Sequence, residues 1–112
     1  MTWKKKIRNW NYGIKKRGGE FKIPQDHEFP TKCKYCKEKL DPTNISLDHC
    51  HPLQRGGKED PTNYDFVCFP CNRSKGTLTG VEYRRLVSLL NTFKMDIKNM
   101  ILKKLRAAWR VR

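Results

Sequence analysis

Four cysteines stand in two matched pairs, Cys33-x-x-Cys36 and Cys68-x-x-Cys71. Zinc prefers thiolates and takes four of them tetrahedrally, and each CxxC turn presents two sulfurs from one backbone knuckle. The two pairs can therefore close a single four-sulfur site. A redox CxxC needs one such pair opening a helix in a βαβ unit, and a disulfide framework belongs to small secreted chains; this pattern fits neither. Cys50 is left over and reads as a free thiol.

Between the pairs runs Leu47-Asp48-His49-Cys50-His51-Pro52-Leu53-Gln54-Arg55-Gly56-Gly57, followed by Asn63, and Asn72 comes directly after the fourth cysteine. This is the chain's only dense set of acid, imidazole and amide groups. An imidazole, ordinarily titrating near about 6.5, suits taking a proton from water at neutral pH. Carboxylate and carboxamide oxygens suit a hard cation such as Mg²⁺ or Mn²⁺. An Asp-His pair alone carries little weight; its position inside a metal-clamped segment gives it meaning.

The ordered set Asp48-His49-x-x-Pro52-x-x-x-Gly56-Gly57, then Asn63, then Cys68-x-x-Cys71-Asn72-x-x-Lys75-Gly76 resembles the HNH endonuclease family with its ββα-metal fold, over about residues 33–76. Asn72 stands where the last letter of the family signature is commonly His, and some members are similar to this chain in using Asn. The resemblance implies that His49 is the general base, and that Asp48 and Asn72 hold a catalytic Mg²⁺ or Mn²⁺. It also implies that Asn63 shapes the hairpin loop and so orients His49. Gly56-Gly57 permits a tight loop path, and Arg55, Lys58, Arg73 and Lys75 lie where they contact phosphate. His51 reads in two ways. It is a second catalytic or metal-binding group, as in the junction-resolving nucleases that Asp-His-x-His resembles more loosely, or it is a loop residue. His27 reads as a surface residue.

These groups need elements to position them. Ile45-Ser46-Leu47-Asp48-His49 alternates apolar and polar and predicts a strand, with Asp48 and His49 on opposite faces. A loop over 50–64 leads to a returning strand, Tyr64 to Cys68, and a short helix is expected from near Cys71 to Gly76. Upstream, Trp3, Ile7, Trp10 and Ile14 make one apolar stripe on a helix from Thr2 to about Arg17. Thr2 is placed to cap it and Gly18-Gly19 to stop it. Residues 20–32 read as an irregular connector. Downstream, Thr79-Gly80-Val81-Glu82 is a capping box. It opens a helical stripe of Leu86, Leu90, Phe93, Ile97, Met100, Ile101 and Leu105, either one long helix or two with a bend near Asn91-Thr92.

The expected class is thus α+β: a ββα hairpin-helix core stapled by zinc, with an N-terminal helix on one side and a long helix or helix pair on the other. One domain is expected over 1–112, with a basic helix over 1–18, the zinc-stapled core over 33–76 and a helical region over 79–110. Only 37% of residues are hydrophobic, so a metal staple is physically useful at this size.

The net charge is +14 and it is unevenly spread. Lys and Arg outnumber Asp and Glu twelve to four over residues 1–40 and nine to two over 80–112, while residues 41–79 hold four and five. A near-neutral centre between basic arms suits a reaction centre held against a polyanion, with DNA the expected partner. Lys4, Lys5 and Arg8 on the first helix are candidate phosphate contacts. No apolar run is long enough for a membrane span, and the basic N-terminus is not followed by the apolar core of a secretory signal. An intracellular protein of a bacterium, archaeon or phage is expected, with a homodimer through the C-terminal helix as one assembly. The combined reading is a metal-dependent nuclease that nicks DNA, or cuts both strands as a dimer. The alternatives are a non-catalytic zinc-ribbon module that binds nucleic acid and a junction-selective nuclease.

Overall fold

The computed structural model describes residues 1–108, so the last two residues of the expected helical region, 109 and 110, lie outside the described residues. Helix α1 spans Trp3–Lys16 and starts where expected, with Thr2 Oγ1 accepting from the Lys5 backbone N–H at 3.1 Å. Its stripe is the reason it exists: Ile7 and Ile14 are fully buried and Trp10 is partly buried, while the basic side chains face outward. It ends at Arg17, and Gly18 then turns with φ 86°, a value that favours glycine.

The connector that follows is irregular, as its prolines predict, but it is tied down. The Asn11 carboxamide imitates a backbone pair, accepting from Ile23 N at 2.7 Å and donating to Ile23 O at 3.0 Å. That places Ile23 beside Ile7 and Ile14 in one apolar cluster. The knuckle at Cys33–Cys36 closes through a Cys33 N to Glu38 O bond of 2.8 Å and a Lys37 N to Cys33 O bond of 2.9 Å. An Asp41 turn follows, with Asp41 Oδ1 accepting from Thr43 N at 2.7 Å and Asn44 N at 3.2 Å.

Strands β1 (Ile45–His49) and β2 (Tyr64–Cys68) form a two-stranded antiparallel hairpin with Ile45 opposite Cys68, Asp48 opposite Asp65 and His49 opposite Tyr64. Two strands alone are marginal in water. One side of the hairpin contributes Leu47, Tyr64 and Phe66 to the α1 cluster. Ile45 and Val67 enter a second cluster with Cys33, Tyr35, Leu40, Cys68, Cys71 and Tyr83.

Helix α2 spans Phe69–Lys75, two residues earlier than the expected start near Cys71. Cys68 caps it through its sulfur, which accepts from Cys71 N at 3.4 Å, and Pro70 occupies the first turn, where its missing N–H costs nothing. A sulfur N-cap lies outside the usual Ser/Thr/Asp/Asn signal. The capping box forms, with Glu82 N to Thr79 Oγ1 at 3.2 Å and Thr79 N to Glu82 Oε1 at 2.8 Å, and opens α3, Gly80–Leu90. The helical stripe then breaks into two helices. After Leu90 the chain turns through Asn91 and Thr92, whose hydroxyl donates to Leu89 O at 2.6 Å, and α4 runs over Met95–Ala108 and packs on α2. No described helix is long and apolar enough to cross a membrane.

Candidate active site

The four sulfurs converge. Cys33, Cys36, Cys68 and Cys71 place their Sγ atoms within 4.8 Å of one another, with Cys36 and Cys68 at 3.5 Å. Zn–S bonds of about 2.3 Å in a tetrahedron put sulfurs roughly 3.8 Å apart, so the set has the size of a zinc site. Its chemistry agrees. Hydrogen bonds from the Cys68 and Cys71 thiols hold the Cys33 thiol well below its ordinary range, while the bond to Cys33 pushes Cys68 up to about 12. Four crowded thiols cannot all ionise without a cation among them, and a bound divalent metal supplies that charge.

The strand face carrying Ser46 and Asp48 lies against α2. Asn72 Nδ2 donates to Ser46 Oγ at 3.0 Å and to Leu47 O at 3.5 Å, so the carboxamide nitrogen is committed to the strand and the oxygen is outside these two bonds. Three residues along the same helix, Lys75 Nζ reaches Asp48 Oδ1 at 3.2 Å and His49 O at 3.0 Å. Lys75 is 1% exposed and Asp48 5% exposed. This corrects the expectation that Lys75 meets phosphate: its ammonium is buried and committed to the strand. The other Asp48 oxygen, Oδ2, is buried with no hydrogen-bond partner among the described residues. Burial raises the Asp48 carboxyl above the ordinary carboxylate range, against the pull of the Lys75 charge. An orphaned carboxylate oxygen and a carboxamide oxygen on one face are a donor set that fits a hard divalent cation.

His49 points to the opposite face, as strand alternation requires. Its Nε2 lies 2.6 Å from Glu59 Oε2, and its ring meets Tyr64 edge-on at 5.6 Å. Burial and the neighbouring Glu59 carboxylate push the Tyr64 hydroxyl up to about 12. Glu59 Oε1 accepts from Arg17 Nε at the end of α1. Burial acts to raise the Glu59 carboxyl, but the bonds from His49 and Arg17 outweigh it and hold it below the ordinary range. The sequence reading missed both Glu59 and Arg17 as parts of the centre. The one available signal was a charged run, Lys58-Glu59-Asp60, in a loop that starts at the imidazole.

Asn63 is the hub of that loop. Its Oδ1 accepts from His51 N at 2.8 Å, and its Nδ2 donates to His51 O and Lys58 O, both at 2.9 Å. Gly56 adopts φ 86°, and at Gly57 a Cβ would fall 1.8 Å from His51 O, so only glycine fits there. His51 itself is exposed, with Nε2 2.8 Å from Arg55 O. Arg55 is ion-paired with Glu82 and donates to Thr77 O at 3.2 Å, while Lys58 is exposed. Arg73 is half-buried, with its guanidinium over the Phe69 ring and donating to Arg106 O at 3.4 Å. Lys4, Lys5 and Arg8 are exposed on α1. Cys50 is a half-buried free thiol facing Asp65, and His27 is exposed against Phe29.

The structure thus brings Asp48, Asn72 and Lys75 onto one face of the hairpin and sets His49, Glu59 and Arg17 on the other. Lys75 Nζ, bonded to both Asp48 and the His49 carbonyl, joins the two. Hairpin, helix and sulfur cluster together make a ββα unit carrying a four-sulfur set of the size of a zinc site. Residues 33–85 match the family model described as HNH endonuclease. None of the curated proteins compared matches the chain. Helix α1 lies outside the matched segment, and so do the end of α3 and the whole of α4.

Proposed function

We propose that the protein is a metal-dependent HNH endonuclease that hydrolyses DNA phosphodiester bonds, with zinc stapling the hairpin to α2. The observation that carries this reading is the packing of β1 on α2, which sets the Asp48 carboxylate and the Asn72 carboxamide on a shared face at the strand end that carries His49. His49 takes a proton from the attacking water as its oxygen bonds phosphorus, and one P–O ester bond breaks, its electron pair leaving on the sugar oxygen, which takes a proton from solvent water. Asp48 and Asn72 hold Mg²⁺ or Mn²⁺, which when bound neutralises charge developing on the phosphate oxygens. Asn63 fixes the loop leaving His49, and Lys75 fixes the strand end by holding its carbonyl. The charge of +14, concentrated outside the centre, holds the duplex.

One centre per chain nicks one strand. Phe93, Met95, Ile97 and Met100 stand exposed at and along α4, which supports a homodimer that cuts both. The buried Asp48–Lys75 pair is the observation that favours a second reading, a zinc-ribbon binding module without catalysis, since it sets a built-in cation against one carboxylate oxygen. Nicking of supercoiled plasmid separates the two. The first reading expects activity abolished by EDTA, restored by Mg²⁺ or Mn²⁺ and lost in His49→Ala. A His49→Ala protein that nicks at the wild-type rate removes it. Sedimentation of the zinc-loaded chain gives the oligomeric state.

A further inference from the structure

We infer that Glu59, anchored by Arg17, is the positioning residue that fixes the ring and tautomer of His49 so that Nδ1 presents the basic lone pair. The inference rests on the reading of His49 as general base and adds the groups that make it one. Glu59 is reached only because the loop after Gly57 folds back, and its side chain keeps just 8% of its surface exposed. As a carboxylate it accepts hydrogen bonds and donates none. One oxygen takes the Arg17 Nε–H, and the other lies 2.6 Å from His49 Nε2. That short contact therefore requires the proton on Nε2, and a neutral imidazole then has its lone pair on Nδ1. Among the described residues Nδ1 has no hydrogen-bond partner and is not one of the buried unpartnered atoms, and the His49 side chain keeps 16% of its surface exposed.

Two further contacts hold the ring. Tyr64, directly across the strand pair, meets it edge-on. The loop that delivers Glu59 is pinned by the three Asn63 bonds. Arg17 gives the arrangement its reach. It is the C-cap of α1, so the basic helix that precedes the family-matched segment is wired to the base through one carboxylate. A duplex seated on α1 and the orientation of the imidazole are thereby mechanically linked.

The test uses the full-length zinc-loaded chain. Imidazole ¹⁵N chemical shifts at about pH 8, where imidazoles are ordinarily neutral, report which ring nitrogen carries the proton. Wild type is expected to show His49 as the Nε2–H tautomer. Glu59→Gln, which can donate as well as accept, and Arg17→Met, which frees the carboxylate, are expected to shift it toward a mixture. In Mg²⁺ the same variants are expected to lose about 10–100-fold in kcat, the usual effect of removing a partner that orients a site ligand. KM for plasmid should be little changed in Glu59→Gln. A wild-type Nδ1–H tautomer overturns the inference, as does a Glu59→Gln protein with unchanged shifts and kcat within twofold. His49→Ala is the parallel arm. If it is inactive while Glu59→Gln is unaffected, only the positioning role fails; if it is fully active, the base assignment beneath it fails.

Discussion

Lys75 Nζ stands 3.2 Å from Asp48 Oδ1 with both side chains almost wholly out of water. Two opposite charges buried together are strongly interdependent, because removing either leaves the other without solvent or partner. Lys75→Met should therefore destabilise the fold by about 3–5 kcal/mol, read as a lower urea midpoint. The double variant with Asp48→Asn should lose less than the sum of the two single changes. Once Lys75 is gone, Asp48 is an uncompensated carboxylate, and Mn²⁺ should raise the melting temperature of Lys75→Met more than that of wild type. Equal shifts would mean that Asp48 does not bind the cation.

Chelation should act on the centre of the chain before its ends. The sulfur cluster ties the 33–36 knuckle to the start of α2, and structural zinc in such sites is worth on the order of 10 kcal/mol of folding free energy. The expected result is one zinc per chain, with loss of near-ultraviolet ellipticity on adding a strong chelator. Cys33→Ser, at the most buried ligand, should reproduce it. Retained ellipticity after complete metal removal would contradict the staple.

Much of this was legible in the sequence, and the divide has a physical basis. Where periodicity or local chemistry decides, the chain reads directly. The α1 stripe, the Thr2 cap, both strands and the Thr79–Glu82 box form as their residues require. The helix pair resolved at Asn91-Thr92 because local side-chain bonds there end a helix that the apolar stripe alone would have continued. Contacts set by how elements cross were not legible. Lys75 follows Asn72 by three residues, which puts both on one helix face, but only the packing of α2 on β1 turns that face inward. Glu59 meets His49 across a ten-residue loop whose path depends on Gly56, Gly57 and Asn63 together.

The two adjacent glycines should respond differently to a methyl group. Gly56 has φ 86° with open space around it, so Gly56→Ala should cost about 1 kcal/mol of backbone strain and little else. At Gly57 a Cβ meets the His51 carbonyl, the same oxygen that accepts from Asn63 Nδ2. Gly57→Ala must therefore move the loop. It should cost more stability, about 2 kcal/mol or above, and also depress nicking. Denaturant melts of both variants beside the plasmid assay check the ordering.

The Arg55–Glu82 pair gives a pH dependence with a definite direction. Arg55, and next the Thr79 backbone N–H, hold the Glu82 carboxyl down to about 2, against an ordinary value of 4.5. A carboxyl lowered in the folded state adds stability above its unfolded value, and that contribution disappears as pH falls from about 4.5 through about 2. Both partners are exposed, so the effect is modest. The urea midpoint of Arg55→Met should fall less steeply over this window than that of wild type, and the two should run parallel at neutral pH.

Lys4, Lys5 and Arg8 share the exposed side of α1, away from the Ile7–Ile14 stripe that anchors the helix. Their removal should leave the fold intact while weakening the hold on a duplex. Each phosphate left without its cationic side chain lowers the slope of log affinity against log salt by about 0.9 for B-form DNA. In a His49→Ala background, where binding can be measured without cleavage, the triple change to Gln should reduce that slope by roughly 2–3 and weaken affinity more at low salt than at high. Far-ultraviolet circular dichroism verifies that α1 persists. Binding should weaken similarly for duplexes of unrelated sequence, because these side chains meet backbone charge and not base edges. An unchanged slope would move the duplex off α1, toward the Lys103 and Arg106 side of α4, and would cut the proposed mechanical link from bound DNA through Arg17 and Glu59 to the imidazole.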